Sequence, residues 1–517
     1  MRTTHVVAGF LDMLRLGVLA CAAAMAACSP TSDNAGAANG PDAVLGIWVP
    51  DAAPQQLLAA DGSPAPLTPE AARVHAERLE RLRSGDTSFD QTAWCAGPGM
   101  PRVMSMPYPF EIRRDGDYLA FIHGWYRWHR VVDLAGGAVD DPPLPLTMGF
   151  PVGHWEGDTL VIRTVGLSDV TVLDATGLPH SDQLVLTERM HVLPDGRLED
   201  RFTIEDPDTY TTPWEAALYF HRDASARVID DVCPDRIADG EPAVRTALPA
   251  PVANTHSAIE LPAVTADSGA TAAPRLSGMW EPKTFGFMVP EAPLSTAGRA
   301  RVDRGATAMA AGQIMHTAWT SCRPGAVSTM TMPREKILVL QSADELTLLF
   351  EMPRMVRRVR LGAGHPASLP PSYVGDSVGR WEGNTLVIDT AGFNGYAELD
   401  ARGQPTSAKL HTVERLTLSA DGNSIDIEVT ITDPEYYDGP FTIKRSWKKS
   451  AVRHPFEYDC MENPRQEDFE NAYYVQERYR PTCMRVEGEG MALSKVVCQR
   501  PRSADDGGRP GPDVPAK

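Results

Sequence analysis

The ten residues Gly153-His154-Trp155-Glu156-Gly157-Asp158-Thr159-Leu160-Val161-Ile162 return as Gly379-Arg380-Trp381-Glu382-Gly383-Asn384-Thr385-Leu386-Val387-Ile388, an offset of 226 residues. Other landmarks keep nearly the same spacing. Thr187-Glu188-Arg189 returns as Val413-Glu414-Arg415, Asp195-Gly196 as Asp421-Gly422, and the Asp206-Pro207 pair as Asp433-Pro434. Gly46-Ile47-Trp48 heads the first copy and Gly278-Met279-Trp280 the second. Self-similarity at a fixed offset means one structural unit used twice.

The unit reads as β. In the second copy, strand candidates fall at 336–341, 346–352, 356–361, 385–390, 410–418, 424–432 and 441–447. They are short, rich in β-branched residues, aromatics or leucine, and several are bounded by turn residues such as Ala420-Asp421-Gly422-Asn423. With the Gly-x-Trp strand this gives about eight strands per copy, enough for an antiparallel meander to close and remove its exposed edges. A Gly-x-Trp opening resembles that of lipocalin-type barrels, in which the tryptophan plugs one end. The expected fold class is mainly β: two tandem antiparallel, lipocalin- or calycin-like β-barrels, each with a short helix. Thr68-Pro69-Glu70 is a helix start, with an N-cap, a first-turn proline and an acid at the positive end of the dipole.

The ends of the chain carry an address. Arg2 and Arg15 precede a mostly apolar run, Leu16 to Ala27, that is too short to span a bilayer and suits an export signal. Met25-Ala26-Ala27-Cys28-Ser29 resembles a lipobox, which implies cleavage before Cys28 and its lipidation. Ser29 resembles the signal for the outer membrane. The expected plan is a signal peptide at 1–28, a tether at 29–43, barrel repeat one at 44–236 and an Ala/Pro-rich linker at 237–274. Barrel repeat two follows at 275–460, then a C-terminal extension and disordered tail at 461–517. Residues 467–478 are expected to be helical. The expected location is the cell envelope, lipid-anchored, facing the periplasm.

With 49 Lys and Arg against 68 Asp and Glu, the net charge is −19, which opposes nucleic-acid binding and leaves the lipid as the membrane contact. Six cysteines follow the signal region. Cys95 matches Cys322 and Cys233 matches Cys460, and an exported chain with an even set predicts disulfides. If each repeat closes its own bond, the pairs are Cys95–Cys233, Cys322–Cys460 and Cys483–Cys498.

The segment from Pro371-Ser372-Tyr373-Val374-Gly375-Asp376-Ser377 through the repeated decapeptide to Asp389-Thr390-Ala391-Gly392-Phe393-Asn394 resembles the signature of a large group of exported bacterial proteins of unassigned function. Glu414-Arg415, Asp433-Pro434 and Cys460-Met461-Glu462-Asn463 match that group's later landmarks. Repeat one departs from it, with His154 for Arg380, Leu167 for Phe393 and no counterpart of the Ser377 segment. The resemblance implies an altered or idle site in repeat one.

Strand alternation places Glu414 in phase with Leu410, Leu416 and Leu418, and Glu188 in phase with Leu184, Leu186 and Met190. A carboxylate on an apolar face requires a partner. It is either a ligand group or half of a structural ion pair. If Leu418 faces Ile425, Glu414 faces Val429 and lies roughly 13 Å from Asp433 at 3.3 Å per residue, too far for a two-carboxylate glycosidase. Asp433 and Asp206 are then strand ends. Trp381-Glu382 and Trp155-Glu156 are further ligand-binding candidates, set against a tight turn with the aromatic outward or on the rim. Arg357, Arg358 and Arg360 are an anion site or, more simply, a charged outer face. There is no HExxH, nucleophile elbow, phosphate loop or dinucleotide fingerprint, so no metal and no cofactor is expected. The favoured expectation is binding of a small, largely apolar molecule in one or both barrels, with Glu414 and Glu188 as polar handle. The alternatives are a non-metal lyase, isomerase or hydrolase using Glu414 or Glu188 as catalytic acid/base, and a structural envelope protein with filled barrels.

Overall fold

The computed structural model describes residues 40–462 apart from interruptions at 138–143, 224, 229–230, 239–240, 246–258, 261–273, 284–291, 311–313, 317, 319–321, 326–335, 352–353, 401–402 and 456, and beyond them only 472–474, 483–487 and 493–498. The signal peptide, Cys28 and nearly all of the tether lie outside the described residues, as do most of the linker and the final tail.

Each repeat closes into a barrel of nine strands. In repeat one these are β1 (Gly46–Pro50), β2 (Phe110–Asp115), β3 (Tyr118–His123), β4 (His129–Asp133), β5 (Phe150–Glu156), β6 (Thr159–Val165), β7 (Val185–Val192), β8 (Leu198–Glu205) and β9 (Trp214–Arg222). Closure is made by β1, which pairs with β2 on one side and β9 on the other. Repeat two uses Gly278–Pro282, Ile337–Gln341, Glu345–Phe350, Met355–Leu361, Asp376–Glu382, Thr385–Ala391, His411–Leu418, Ser424–Thr432 and Phe441–Lys449 in the same order.

Two expectations need correction. The strands number nine because Asp376–Glu382, with its glycine, charges and aromatic, is itself a strand; the turn is confined to Gly383-Asn384. Gly383 has φ 61° and Gly157 φ 67°, a backbone region that glycine enters without steric cost. The meander is also not wholly antiparallel. β4 meets β5 in parallel at Asp133↔Val152, and the equivalent strands meet at Val359↔Ser377 through Leu361↔Gly379. A parallel step needs a long crossover rather than a tight hairpin, which 362–375 supplies. The register Leu418↔Ile425 and Glu414↔Val429 is as the alternation argument assumed.

The opening tryptophans are the same device twice. Trp48 and Trp280 are fully buried, and their indole nitrogens donate to the carbonyls of Val44 and Leu276, each 2.7 Å away and four residues back. Arg222 covers Trp48 at 4.2 Å from the ring centre, and Lys449 covers Trp280 at 5.7 Å. The Thr68 hydroxyl caps the helix Pro69–Arg83, whose His75 and Arg78 reach Thr176 and the Gly177 carbonyl on the β6–β7 connection. The second copy has the helix Thr296–Ala310.

The barrels pack side by side, the outer face of β3 and β4 against the outer face of the first three strands of repeat two. Ala120, Ile122 and Val131 meet Met279, Leu338, Leu340 and Leu349. A square of charge borders this patch: Arg358 pairs with Glu111 and Glu345, and Arg113 pairs with the same two acids. Arg358 therefore belongs to the interface, while Arg357 points into the barrel rather than lying on a charged outer face. Each barrel's trailing segment also crosses to the other. Asp235 reaches Arg323 and Tyr373, while Arg453 reaches Asp133, Glu457 the amides of Thr147 and Met148, and Asp459 the amide of Gly97.

Cys95–Cys233 and Cys322–Cys460 are bonded. Cys483 and Cys498 stand directly opposite in an antiparallel hairpin. The expected helix at 467–478 is contradicted at Ala472–Tyr474, which is extended and pairs with Ile314–His316.

Burial works to raise the Glu111 carboxyl, but the Arg358 and Arg113 guanidiniums outweigh it and hold it below the usual range. A depressed folded-state value means that the square's contribution is complete above the ordinary glutamate range and is lost as pH falls through that lower value. Calorimetry should show one joint transition at pH 7 and a weakened interface near pH 3. Two independent transitions at pH 7 would overturn this account.

Candidate functional site

Strand register stacks the inward side chains in layers. In repeat two one layer runs Ser377, Thr390, Thr412, Ile431; the next Gly379, Ile388, Glu414, Val429, Ile443; the next Trp381, Leu386, Leu416, Ile427. Repeat one has Pro151, Thr164, Leu186, Ile204; then Gly153, Ile162, Glu188, Phe202, Ala216; then Trp155, Leu160, Met190, Asp200, Leu218. Each barrel thus carries one glutamate at mid-depth, and both glutamates are fully buried.

Each glutamate faces an arginine from the fourth strand. Arg130 grips Glu188 with both terminal nitrogens, Nη1 at 2.8 Å from Oε1 and Nη2 on Oε2, and Nη2 also reaches the Thr164 hydroxyl at 2.6 Å. This is the bidentate fork that satisfies a buried carboxylate. Phenylalanines line the interior beside it: Phe110 lies 4.9 Å from Phe220 and 6.2 Å from Phe121, centre to centre.

The pair in repeat two is built differently. Arg357 Nη2 lies 2.8 Å from Glu414 Oε2, but its donors are aligned elsewhere, Nε on Ser377 at 3.1 Å and Nη2 on Thr390 at 2.9 Å. Ser377 and Thr390 bond each other at 3.0 Å. Both Glu414 oxygens, the Thr412 hydroxyl, Arg357 Nη1 and the indole nitrogens of Trp381 and Trp447 are buried without a hydrogen-bond partner among the described residues. The lining is mainly aliphatic, with Ile337, Leu348 and Val429 where repeat one has Phe110, Phe121 and Phe202.

Trp155 and Trp381 face inward at the hairpin end of the barrel, one layer from the glutamates, and pack against the two cores. They are half-buried there, at the barrel's rim rather than on its outer face. Glu156 and Glu382 point out and pair across the strands with Arg189 at 2.6 Å and Arg415 at 2.9 Å. The structure therefore joins Trp381 to Glu414 and Trp155 to Glu188, and separates Glu156 and Glu382 from them. Asp206 and Asp433 close the loops before the seventh strands, accepting from the amide and hydroxyl of Ser181 and Ser407.

Three features escaped the sequence argument: the arginine partners, the hydroxyl row of repeat two, and Asp200. Asp200 was findable, because Leu198, Asp200, Phe202 and Ile204 alternate onto one face. The arginines were hidden because Arg357, Arg358 and Arg360 read as one charged stretch, although only Arg357 shares the phase of Met355 and Val359.

Fold and site define a class: a tandem pair of closed β-barrels, each with an arginine–glutamate pair at its heart. No family model matches the chain, and no curated protein matches it. Among solved structures, the chain is similar to Aeromonas veronii immune modulator A, with 8% identity over 68% of this chain and 91% of that one. The TM-score of 0.13 is too low for that likeness to bear on fold or activity.

Removing one partner of a buried pair strands a charge, which costs about 3–5 kcal/mol, whereas replacing both with apolar residues is often close to neutral. Glu188→Leu should therefore destabilise by that amount in urea denaturation. The double variant Arg130→Met/Glu188→Leu should recover most of the loss. Equal losses in the single and double variants would show that packing, not charge pairing, sets the cost.

Proposed function

We propose that the chain is a ligand-binding protein of the bacterial cell envelope, held to the outer membrane by a lipid on Cys28. Barrel two takes a small, largely apolar molecule that carries at least one hydrogen-bond donor. One observation carries the reading: the acceptors Glu414 and Thr412 are buried among aliphatic side chains with no aligned donor among the described residues. An unmet buried acceptor costs about 1–3 kcal/mol, and a ligand donor removes that cost. An apolar lining with a few convergent polar groups is what small-molecule pockets use. Trp381 and Trp447 add indole N–H donors, so a ligand acceptor is also accommodated.

Native mass spectrometry of the full mature chain, prepared from an oxidising periplasm, checks this. A retained non-protein mass is expected. Thr412→Val keeps the side chain's shape and removes its hydroxyl, so it should weaken binding of the released molecule about fivefold to tenfold, the worth of one hydrogen bond. A bare mass, or a Thr412→Val protein that binds as before, would remove the reading. Loss of turnover without loss of binding in Glu414→Gln would instead make Glu414 an acid/base group.

A further inference from the structure

Nothing in the fold of repeat one uses Asp200. It is fully buried on β8, between Met190 on β7 and Leu218 on β9, and neither carboxylate oxygen has a partner among the described residues. The repeat-two counterpart at the same register position is Ile427, so the barrel closes without an acid there. Burial above all, and then the nearby Glu188 carboxylate, pushes Asp200 well above the usual aspartate range.

Inside the barrel Asp200 has no counter-ion of its own among the described residues. Arg130 and Glu188 cancel each other. His123 offers no compensation, because burial, and then Arg130, pushes its imidazole down to about 3. Alone, the barrel therefore holds Asp200 as the neutral acid, and an entering cation would stabilise its ionised form, the proton leaving to solvent. The surrounding surface is aromatic: Trp155 stands in the same layer, and Phe121, Phe202 and Phe220 share the interior. A carboxylate set among aromatic faces is the chemistry that recognises an ammonium ion.

The barrel wall is thinnest at one seam. β4 and β5 are joined only by the Asp133↔Val152 bridge, whereas the same join in repeat two holds over three pairs. Beside the bridge, Arg130 lines a cleft of about 60 Å³ between His129 on β4 and Phe150 on β5, while its guanidinium grips Glu188 inside. The cleft is covered from outside by His454 and Glu457 of the segment trailing barrel two.

We propose that barrel one is a separate site for a small protonated amine with an apolar or aromatic body, with Asp200 as its counter-ion and the β4–β5 seam as its entrance.

The test uses 2-phenylethylamine, with 2-phenylethanol as its neutral match, on the oxidised mature chain at pH 7.5, read by calorimetric titration and thermal melting. The amine should bind and raise the melting temperature, and the alcohol should do neither. Asp200→Asn should weaken amine binding about thirtyfold or more, the usual loss when one member of a buried charge pair is removed. The same variant should melt higher than the parent without ligand at pH 7.5. Because the folded-state value is raised, this gain should shrink as pH falls and vanish below the ordinary aspartate pKa of about 3.9. Thr412→Val should leave the amine response intact, which separates this site from the one in barrel two. Equal binding of amine and alcohol, no binding of the amine, or a lower melting temperature for Asp200→Asn would each overturn the proposal.

Discussion

The guanidinium–carboxylate pair inside each barrel is the contact on which the rest depends. A sheet can close only if its first and last strands meet and its weakest join holds, and here the weakest join is the parallel one between the fourth and fifth strands. Arg130 stands on β4, and its partners Thr164 and Glu188 stand on β6 and β7, beyond that seam. Arg357, Thr390 and Glu414 repeat the arrangement. The pair therefore ties the wall together across the place where backbone hydrogen bonding is thinnest. Both members of each pair are buried, so neither charge is tolerable alone. The seam and the pair explain each other.

From that shared frame the two copies diverge in what surrounds the pair. Repeat one completes the carboxylate's hydrogen bonds, lines the interior beside it with phenylalanines and then adds an acid without a counter-ion. Repeat two turns its arginine's donors toward a row of hydroxyls, so the glutamate keeps the charge contact at 2.8 Å but receives no aligned hydrogen bond among the described residues. The same backbone thus presents two interiors of different character, one with a buried acid that lacks a counter-ion and one with open hydrogen-bonding positions. Differences of this kind arise from a few inward positions, such as Ile427 against Asp200 or Ser377 against Pro151.

The architecture was legible because it is written twice, so that chance similarity and structural similarity separate. Period-two alternation fixed the inward face of the seventh strand, and the register beside Glu414 followed from it. What escaped lay where one residue type served two purposes. Trp381-Glu382-Gly383-Asn384 reads as a tight turn, yet only Gly383-Asn384 turns; Trp381 and Glu382 end a strand whose own glycine, Gly379, serves close approach, since a Cβ there would meet the side chains of Val359 and Leu361 at 2.9 and 3.0 Å. Three arginines in five residues hid the one that points inward. The face-to-face pairing of the barrels left no trace in periodicity, since the outward-facing Leu338 and Leu340 alternate with inner residues that are equally apolar.

The exchange of trailing segments makes the two halves interdependent. After barrel one the chain reaches across to Arg323 and Tyr373, and after barrel two it reaches back to Asp133, Thr147, Met148 and Gly97. Each copy is finished by residues that belong to the other. A barrel cut out alone would lose the residues that finish it, so the contents of each are sheltered by the chain of the other.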